Sequence, residues 1–178
     1  MMQQKLTKVE QGIFREAALN TGKPINLSRI ADKLSVSVPA VAKAVSSLEL
    51  KKLIQKTKVE FSAQVLVSLN VQNKYVIAKK RVFNLAQLYD SGFVDVLEEK
   101  FPGTTIVLFG SYSRGEDTIH SDIDIAIIGC KDKETHFETF EKLFERKLSF
   151  HFFEKMNMHK YLKENICNGI VLAGGISL

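Results

Sequence analysis

Asp122 and Asp124 stand at the head of an Ile-rich run, SDIDIAII, in which period-2 alternation sends Ile123, Ile125 and Ile127 to one face. Both carboxylates then share the opposite face with Ala126, about 6 to 7 Å apart along the strand. Two acids on one face of an apolar strand repel each other unless a cation lies between them. Mg²⁺ (or Mn²⁺) suits the pair, because such an ion takes one or two protein carboxylates and fills its shell with phosphate oxygens. Ten residues separate Asp122 from Ser111, which with Gly110 closes a preceding apolar run, Ile106 to Phe109. A glycine there lets backbone approach a ligand, and the Ser111 hydroxyl with neighbouring N–H groups suits a phosphate. Two metal-binding aspartates beside an anion-binding turn are the equipment of phosphoryl or nucleotidyl transfer.

The elements that must hold these groups are readable around them. Ile106–Phe109 and Ile123–Ile128 read as buried strands, joined through a short polar helix or loop ending at Arg114-Gly115. A helix with the stripe Phe137, Phe140, Leu143 and Phe144 follows, and then KLSFHFFEK, in which Leu148, Phe150 and Phe152 point to the core. Ser149, His151 and Phe153 face the other way. The phenylalanine spacing over 137–153 is that of buried faces rather than of a base-stacking surface. The end of the chain, YLKENICNGIVLAGGISL, reads as a helix and a short strand or apolar tail.

The stretch TTIVLFGSYSRGEDTIHSDIDIAIIG, residues 104–129, resembles the nucleotidyltransferase superfamily related to DNA polymerase β. Its Ser-Tyr-Ser-Arg-Gly and Ser-Asp-Ile-Asp pieces are closest to the minimal nucleotidyltransferases, and the likeness covers roughly residues 84 to 178. The resemblance implies that Gly110 and Ser111 contact a nucleoside triphosphate, with ATP the expected donor, and that Asp122 and Asp124 bind divalent metal. It also implies that Arg114 and Gly115 shape the nucleotide-binding loop. Relatives move a nucleotide to a hydroxyl on RNA, on protein or on a small molecule. The family's third carboxylate lies on a later strand, and here that strand offers Ser149 and His151 instead, with Glu154 at the wrong parity unless a bulge intervenes. His151 is a candidate general base, yet it does not replace a charged oxygen ligand.

The first part of the chain has another character. Val9, Ile13, Phe14, Ala17 and Ala18 have helical spacing that stops at Asn20-Thr21-Gly22-Lys23-Pro24. NLSRIADKLSV places Leu27, Ile30, Ala31 and Leu34 on one face, with Asn26 or Ser28 as N-cap, and a third helix starts with Ser37 as N-cap and Pro39 in its first turn. Two runs broken near residues 60–63 then read as a β-hairpin, the second with Val65, Val67, Leu69 and Val71 on one face. The stretch NLSRIADKLSVSVPAVAKAVSSLELKKLIQ resembles the winged helix-turn-helix family, and the likeness covers about the first 70 residues. It implies that the third helix enters a duplex DNA groove, with Ser37, Lys43, Ser46 and Ser47 on the helix and Lys56 and Lys58 on the hairpin as candidate contacts. Docking to protein is the other use of such a module.

Charge divides along the same line. The 178 residues carry 25 Lys plus Arg and 20 Asp plus Glu, a formal +5, but residues 1–75 hold 12 basic against 5 acidic groups, a local +7, which leaves −2 for residues 76–178. The basic half is the one that suits phosphate backbone. Cys130 and Cys167 form no paired motif and the histidines show no ligand spacing, so neither zinc nor a disulfide framework is expected. With no apolar run near membrane length and no signal pattern, a cytoplasmic protein without membrane contact is expected, and a homodimer is compatible with it.

The expectation is therefore an α+β chain: a winged helix (three helices plus β-hairpin) over residues 1–75, and an α/β nucleotidyltransferase-like domain with a small mixed sheet over 76–178. Near the junction, Lys79-Lys80-Arg81 reads as a solvated basic run or a phosphate brace. The rival function is a transcription regulator whose second domain is catalytically degenerate and senses nucleotide or mediates dimerisation.

Overall fold

A capping box starts the first helix: the Glu10 amide donates to Thr7 Oγ1 at 3.2 Å, while the Thr7 amide donates to Glu10 Oε2 at 2.8 Å. The computed structural model describes residues 5–62, 64–134, 136–155 and 158–176, which form two compact units divided between Val76 and Ile77. In the first, α1 (Lys8–Leu19) is followed by a two-residue strand β1 (Ile25–Asn26), then α2 (Leu27–Leu34) and α3 (Val38–Leu50). Asn26 caps α2 by accepting from Arg29 N at 2.8 Å, and Ser37 caps α3. Strands β2 (Ile54–Lys58) and β3 (Val65–Leu69) form the hairpin.

The first unit is a winged helix with one element that periodicity does not announce. β1 is too short to show alternation, yet it pairs antiparallel with β3 and makes a three-stranded sheet of order β1-β3-β2. Ile13, Ile30, Val41, Val45, Leu48 and Val67 fill its core. The expected hairpin face is shorter than its pattern, because pairing ends at Leu69 and Val71 lies beyond it, exposed.

Helix α4 (Lys74–Asp90) carries the chain across the division and α5 (Phe93–Lys100) follows, separated from it by Gly92 in the left-handed region. The remaining elements are β4 (Thr105–Phe109), α6 (Gly110–Arg114), β5 (Ile123–Ile128), α7 (Glu138–Phe144), β6 (Leu148–Phe153), α8 (Lys160–Cys167) and β7 (Ile170–Ala173). Their sheet has the order β6-β5-β4-β7 and is mixed, since β5 and β6 run parallel while β4 is antiparallel to both its neighbours.

Each face of that sheet packs on its own cluster. Ile106, Leu108, Ile123, Ile125 and Ile127 meet Leu88, Phe93, Leu97, Phe101, Phe137 and Phe144 on one side. Phe93 makes edge contacts with Phe137 and Phe144 at 5.6 and 5.4 Å between centroids, so these phenylalanines are core. Leu143 departs from its expected stripe and faces outward, 58% exposed, because a seven-residue helix seats only one narrow face. The opposite side holds a smaller cluster, Val107, Phe109, Ala126 and Ile166, and leaves the start of β5 open. Among the described residues, no helix is long and apolar enough to cross a membrane.

Candidate active site

Antiparallel pairing sets Phe109 opposite Asp124, so the turn that ends β4 lies directly over the carboxylate. Gly110 makes the approach possible. Its φ is +74°, and a Cβ at that position would overlap Asp124 Oδ2 and sit 3.1 Å from Asp124 Cγ. Ser111 follows in α6, partly exposed, while Ser113 Oγ turns inward to donate to the Gly110 carbonyl at 2.8 Å. Arg114 is exposed and pairs with Glu116 at 2.7 Å. Gly115, at φ +75°, is where the loop crosses α4: a Cβ there would lie 2.6 Å from the Ile77 carbonyl oxygen and 2.7 Å from Arg81 N.

Asp122 is exposed and Asp124 half-buried, on the face that parity assigns them. On the parallel neighbour, Ser149 stands opposite Asp124 and His151 opposite Ala126. Ser149 Oγ lies 3.1 Å from His151 Nε2, which in turn lies 3.7 Å from Asp124 Oδ1, and the imidazole meets Phe109 edge-on at 5.1 Å. Burial pushes the Asp124 carboxyl above its ordinary pKa, His151 pulls it back, and the Asp122 charge raises it further. A divalent cation would relieve that strain. Among the described residues, no three His, Cys, Asp or Glu side chains gather to hold a metal. The donor set fits one Mg²⁺ held by two carboxylates and completed by phosphate oxygens and water. Glu154 follows β6, exposed, and supplies no third carboxylate to this face.

Behind the loop lies a group that composition hid. Lys80, fully buried, pairs through Nζ with Asp117 Oδ1 at 2.6 Å and also donates to the Asp117 carbonyl. Asn84 donates to Asp117 Oδ1 at 2.7 Å and to the Tyr112 carbonyl at 3.0 Å, and Arg146 approaches Asp117 Oδ2 at 3.9 Å. Burial lowers the Lys80 pKa, while the Asp117 charge opposes that. Lys80 is therefore neither a solvated charge nor a phosphate brace. Lys80, Asn84 and Leu88 recur every four residues on one side of α4, and that helical phase is the signal that would have placed Lys80 inward.

In the first unit, Lys43, Ser46, Lys56 and Lys58 are exposed. Lys56 pairs with Glu49 at 2.7 Å, and Ser46 Oγ donates to the Ala42 carbonyl at 3.0 Å. Ser37 is exposed but engaged as the α3 cap. Ser47 turns toward α1, where its hydroxyl donates to Glu10 Oε1 at 2.6 Å beside Lys51 Nζ, also at 2.6 Å. Burial would raise the Glu10 pKa, but the hydrogen bonds from Lys51, Ser47 and the Thr7 amide outweigh it and bring the carboxyl down to about 2.

Residues 91–172 match the family model described as a nucleotidyltransferase domain. The match lies within the second unit, and Gly110, Ser111, Asp122, Asp124 and His151 all fall inside the matched span. Two relatives from Methanocaldococcus jannaschii carry the name protein adenylyltransferase. One is 45% identical over 53 residues, covering 29% of this chain and 53% of the relative; the other is 40% identical over 50 residues, covering 28% and 50%. The chain spans about half the length of the curated relatives it matches. Among solved structures, a zinc-responsive MarR family member, ZitR of Lactococcus lactis, is 24% identical with a TM-score of 0.34 over 55% of this chain and 78% of its own. A variant of the same protein reaches a TM-score of 0.42 at 24% identity, over 57% and 66%. A likeness this loose says nothing of what the present chain binds.

Proposed function

We propose that residues 76–178 form a nucleotidyltransferase that moves a nucleoside monophosphate from a triphosphate, with ATP the expected donor, to a hydroxyl on protein, RNA or a small molecule. The observation that carries this is the seating of Gly110 on the Asp124 carboxylate, beside Asp122 on the same strand face. That close approach supports reading Gly110-Ser111 as the phosphate-approach turn and Asp122 with Asp124 as the metal-binding pair. Asp122 and Asp124 would hold Mg²⁺ (or Mn²⁺), which when bound polarises the phosphate and neutralises its charge. Gly110 and Ser111 bind the triphosphate, and Arg114 adds a positive charge at the rim. The acceptor oxygen bonds to the α-phosphorus as the bond to pyrophosphate breaks, and the acceptor proton passes to His151 Nε2.

Residues 1–75 are proposed to bind duplex DNA, with Lys43, Ser46 and Lys58 presented outward and the +7 charge supplying phosphate attraction. A homodimer and a cytoplasmic location accompany this proposal. One observation favours a second reading: β6 places Ser149 and His151 where the resemblance calls for a carboxylate. In that case the domain senses nucleotide for a DNA-binding regulator and does not turn over.

Incubation of the full chain with labelled ATP, Mg²⁺ and RNA or protein acceptors tests the first reading. Label transfer that Asp124→Asn abolishes supports it. Failure to transfer from any triphosphate sinks it, and salt-dependent duplex binding that responds to nucleotide then establishes the regulator.

A further inference from the structure

Asp117 is the only acid of the segment 115–121 that is buried, at 1% exposure, and three cationic or amide side chains from two distant stretches converge on it. Lys80 and Asn84 come from α4, and Arg146 from the turn before β6. A carboxylate taken this far from water is costly unless its partners are close and its lone pairs satisfied. Well-packed apolar residues of similar volume often replace a buried ion pair without loss of stability, so the pair is weak evidence for a purely stabilising role.

Its position accounts for it better. The segment leaves α6 at Gly115, crosses α4 by backbone contact, and ends at Asp122. At the far end, Ile123 N donates to the Lys147 carbonyl at 2.9 Å, adjacent to Arg146. The segment is thus tied to the same turn twice, by its backbone at Ile123 and by a buried carboxylate at Asp117. Between the ties, Thr118 and Ser121 close a local turn, the Thr118 amide donating to Ser121 Oγ at 3.0 Å and the Ser121 amide to the Thr118 carbonyl at 3.1 Å. Arg146 also lines a cleft of about 510 Å³ that has Ser121, Asp122, Lys142 and Lys147 in its wall.

We infer that Asp117 is a positioning residue: through Lys80, Asn84 and Arg146 it fixes the 116–122 segment and thereby sets where Asp122 stands against Asp124. It touches neither substrate nor metal. The inference rests on the proposed role of Asp122 as a metal ligand, and it adds that the ligand's geometry is set from the α4 side of the segment. Residues that orient a ligand from behind are commonly worth about 10- to 100-fold in metal affinity.

Two variants of the full chain test it. Asp117→Asn keeps the shape and the Asn84 contact while removing the carboxylate charge, and Lys80→Met/Asp117→Asn removes the whole Lys80–Asp117 ion pair, so that no buried ammonium is left unpaired and Arg146 alone keeps its charge. Thermal unfolding selects whichever variant folds as the wild type does. Amide hydrogen exchange over residues 116–122 and Mn²⁺ binding followed by its electron paramagnetic resonance signal are then measured. Exchange is expected to rise about tenfold or more in that segment alone, and the Mn²⁺ half-saturation concentration by about tenfold or more. Wild-type exchange in a folded variant overturns the inference, and so does faster exchange with unchanged Mn²⁺ affinity, which would make the group merely structural. Should the wild type bind no Mn²⁺ and transfer no nucleotide, the proposed function fails on that observation and the inference that rests on it falls too, whereas Mn²⁺ binding by the wild type with unaltered exchange or affinity in a folded variant overturns the inference alone.

Discussion

Gly110 and Asp124 touch across the β4–β5 pair so closely that any side chain at position 110 would displace the carboxylate. The left-handed φ of +74° adds a second reason for glycine. Gly110→Ala is expected to cost about 1 to 3 kcal/mol in stability and, by moving Asp124, to lower nucleotide transfer by about a hundredfold or more. Unfolding curves and a labelled transfer assay measure both. Wild-type transfer in this variant would show that the close approach has no bearing on the reaction.

His151 and Ser149 separate a proton acceptor from a bystander. His151→Ala should lower kcat by about a hundredfold with the half-saturating triphosphate concentration little changed, whereas Ser149→Ala, which leaves the imidazole in place, should cost less than about tenfold. Initial rates at varied triphosphate distinguish the two. Equal losses, or a loss confined to KM, would remove His151 from the proton path.

Glu10 links α1 to α3, and its low pKa has a definite sign. Because the folded value, about 2, lies below the ordinary 4.5, the stabilisation is full above about pH 4.5 and disappears as pH falls through about 2. Its size is on the order of 2 to 3 kcal/mol. Thermal unfolding of the full chain against pH should show Glu10→Gln less stable at neutral pH, with the gap to wild type closing toward pH 2. A gap independent of pH would refute the assignment.

The proposed DNA face divides the candidate residues by what already occupies them. Lys43→Ala and Lys58→Ala should each weaken duplex binding and lower the slope of affinity against salt by about 1. Ser47→Ala should leave that slope alone and cost about 1 kcal/mol of stability, since its hydroxyl serves Glu10. Fluorescence anisotropy over a salt series checks the first pair and unfolding checks the third. A slope change in Ser47→Ala would mean that this serine reaches DNA after all.

Much of this molecule is legible in residue order because local backbone rules govern its strands, turns and helix caps. Strand parity put Asp122 and Asp124 on one face and sent the alternate isoleucines inward, and that holds in β5. A glycine after an apolar strand announced the turn at 110, and helical phase with Ser37 as a cap announced α3, while for α2 the choice between Asn26 and Ser28 as cap fell to Asn26 in the fold. β1 escaped because two residues carry no period, and Leu143 escaped because a stripe read from spacing does not say how wide a face the neighbours will cover. Lys80 departs from its expected place for a different reason: a lysine among basic neighbours resembles solvent-exposed charge, and its partner lies 37 residues later.

Residue order by itself determined most of the kinds of element and the face on which Asp122 and Asp124 lie, since these follow from backbone geometry repeating every two or 3.6 residues. Only the tertiary structure decided which polar groups meet. Asp117 with Lys80 and Arg146, Glu10 with Ser47 and Lys51, and Gly110 against Asp124 are pairings across folded distance, where desolvation makes each charge depend on a partner that no local period encodes.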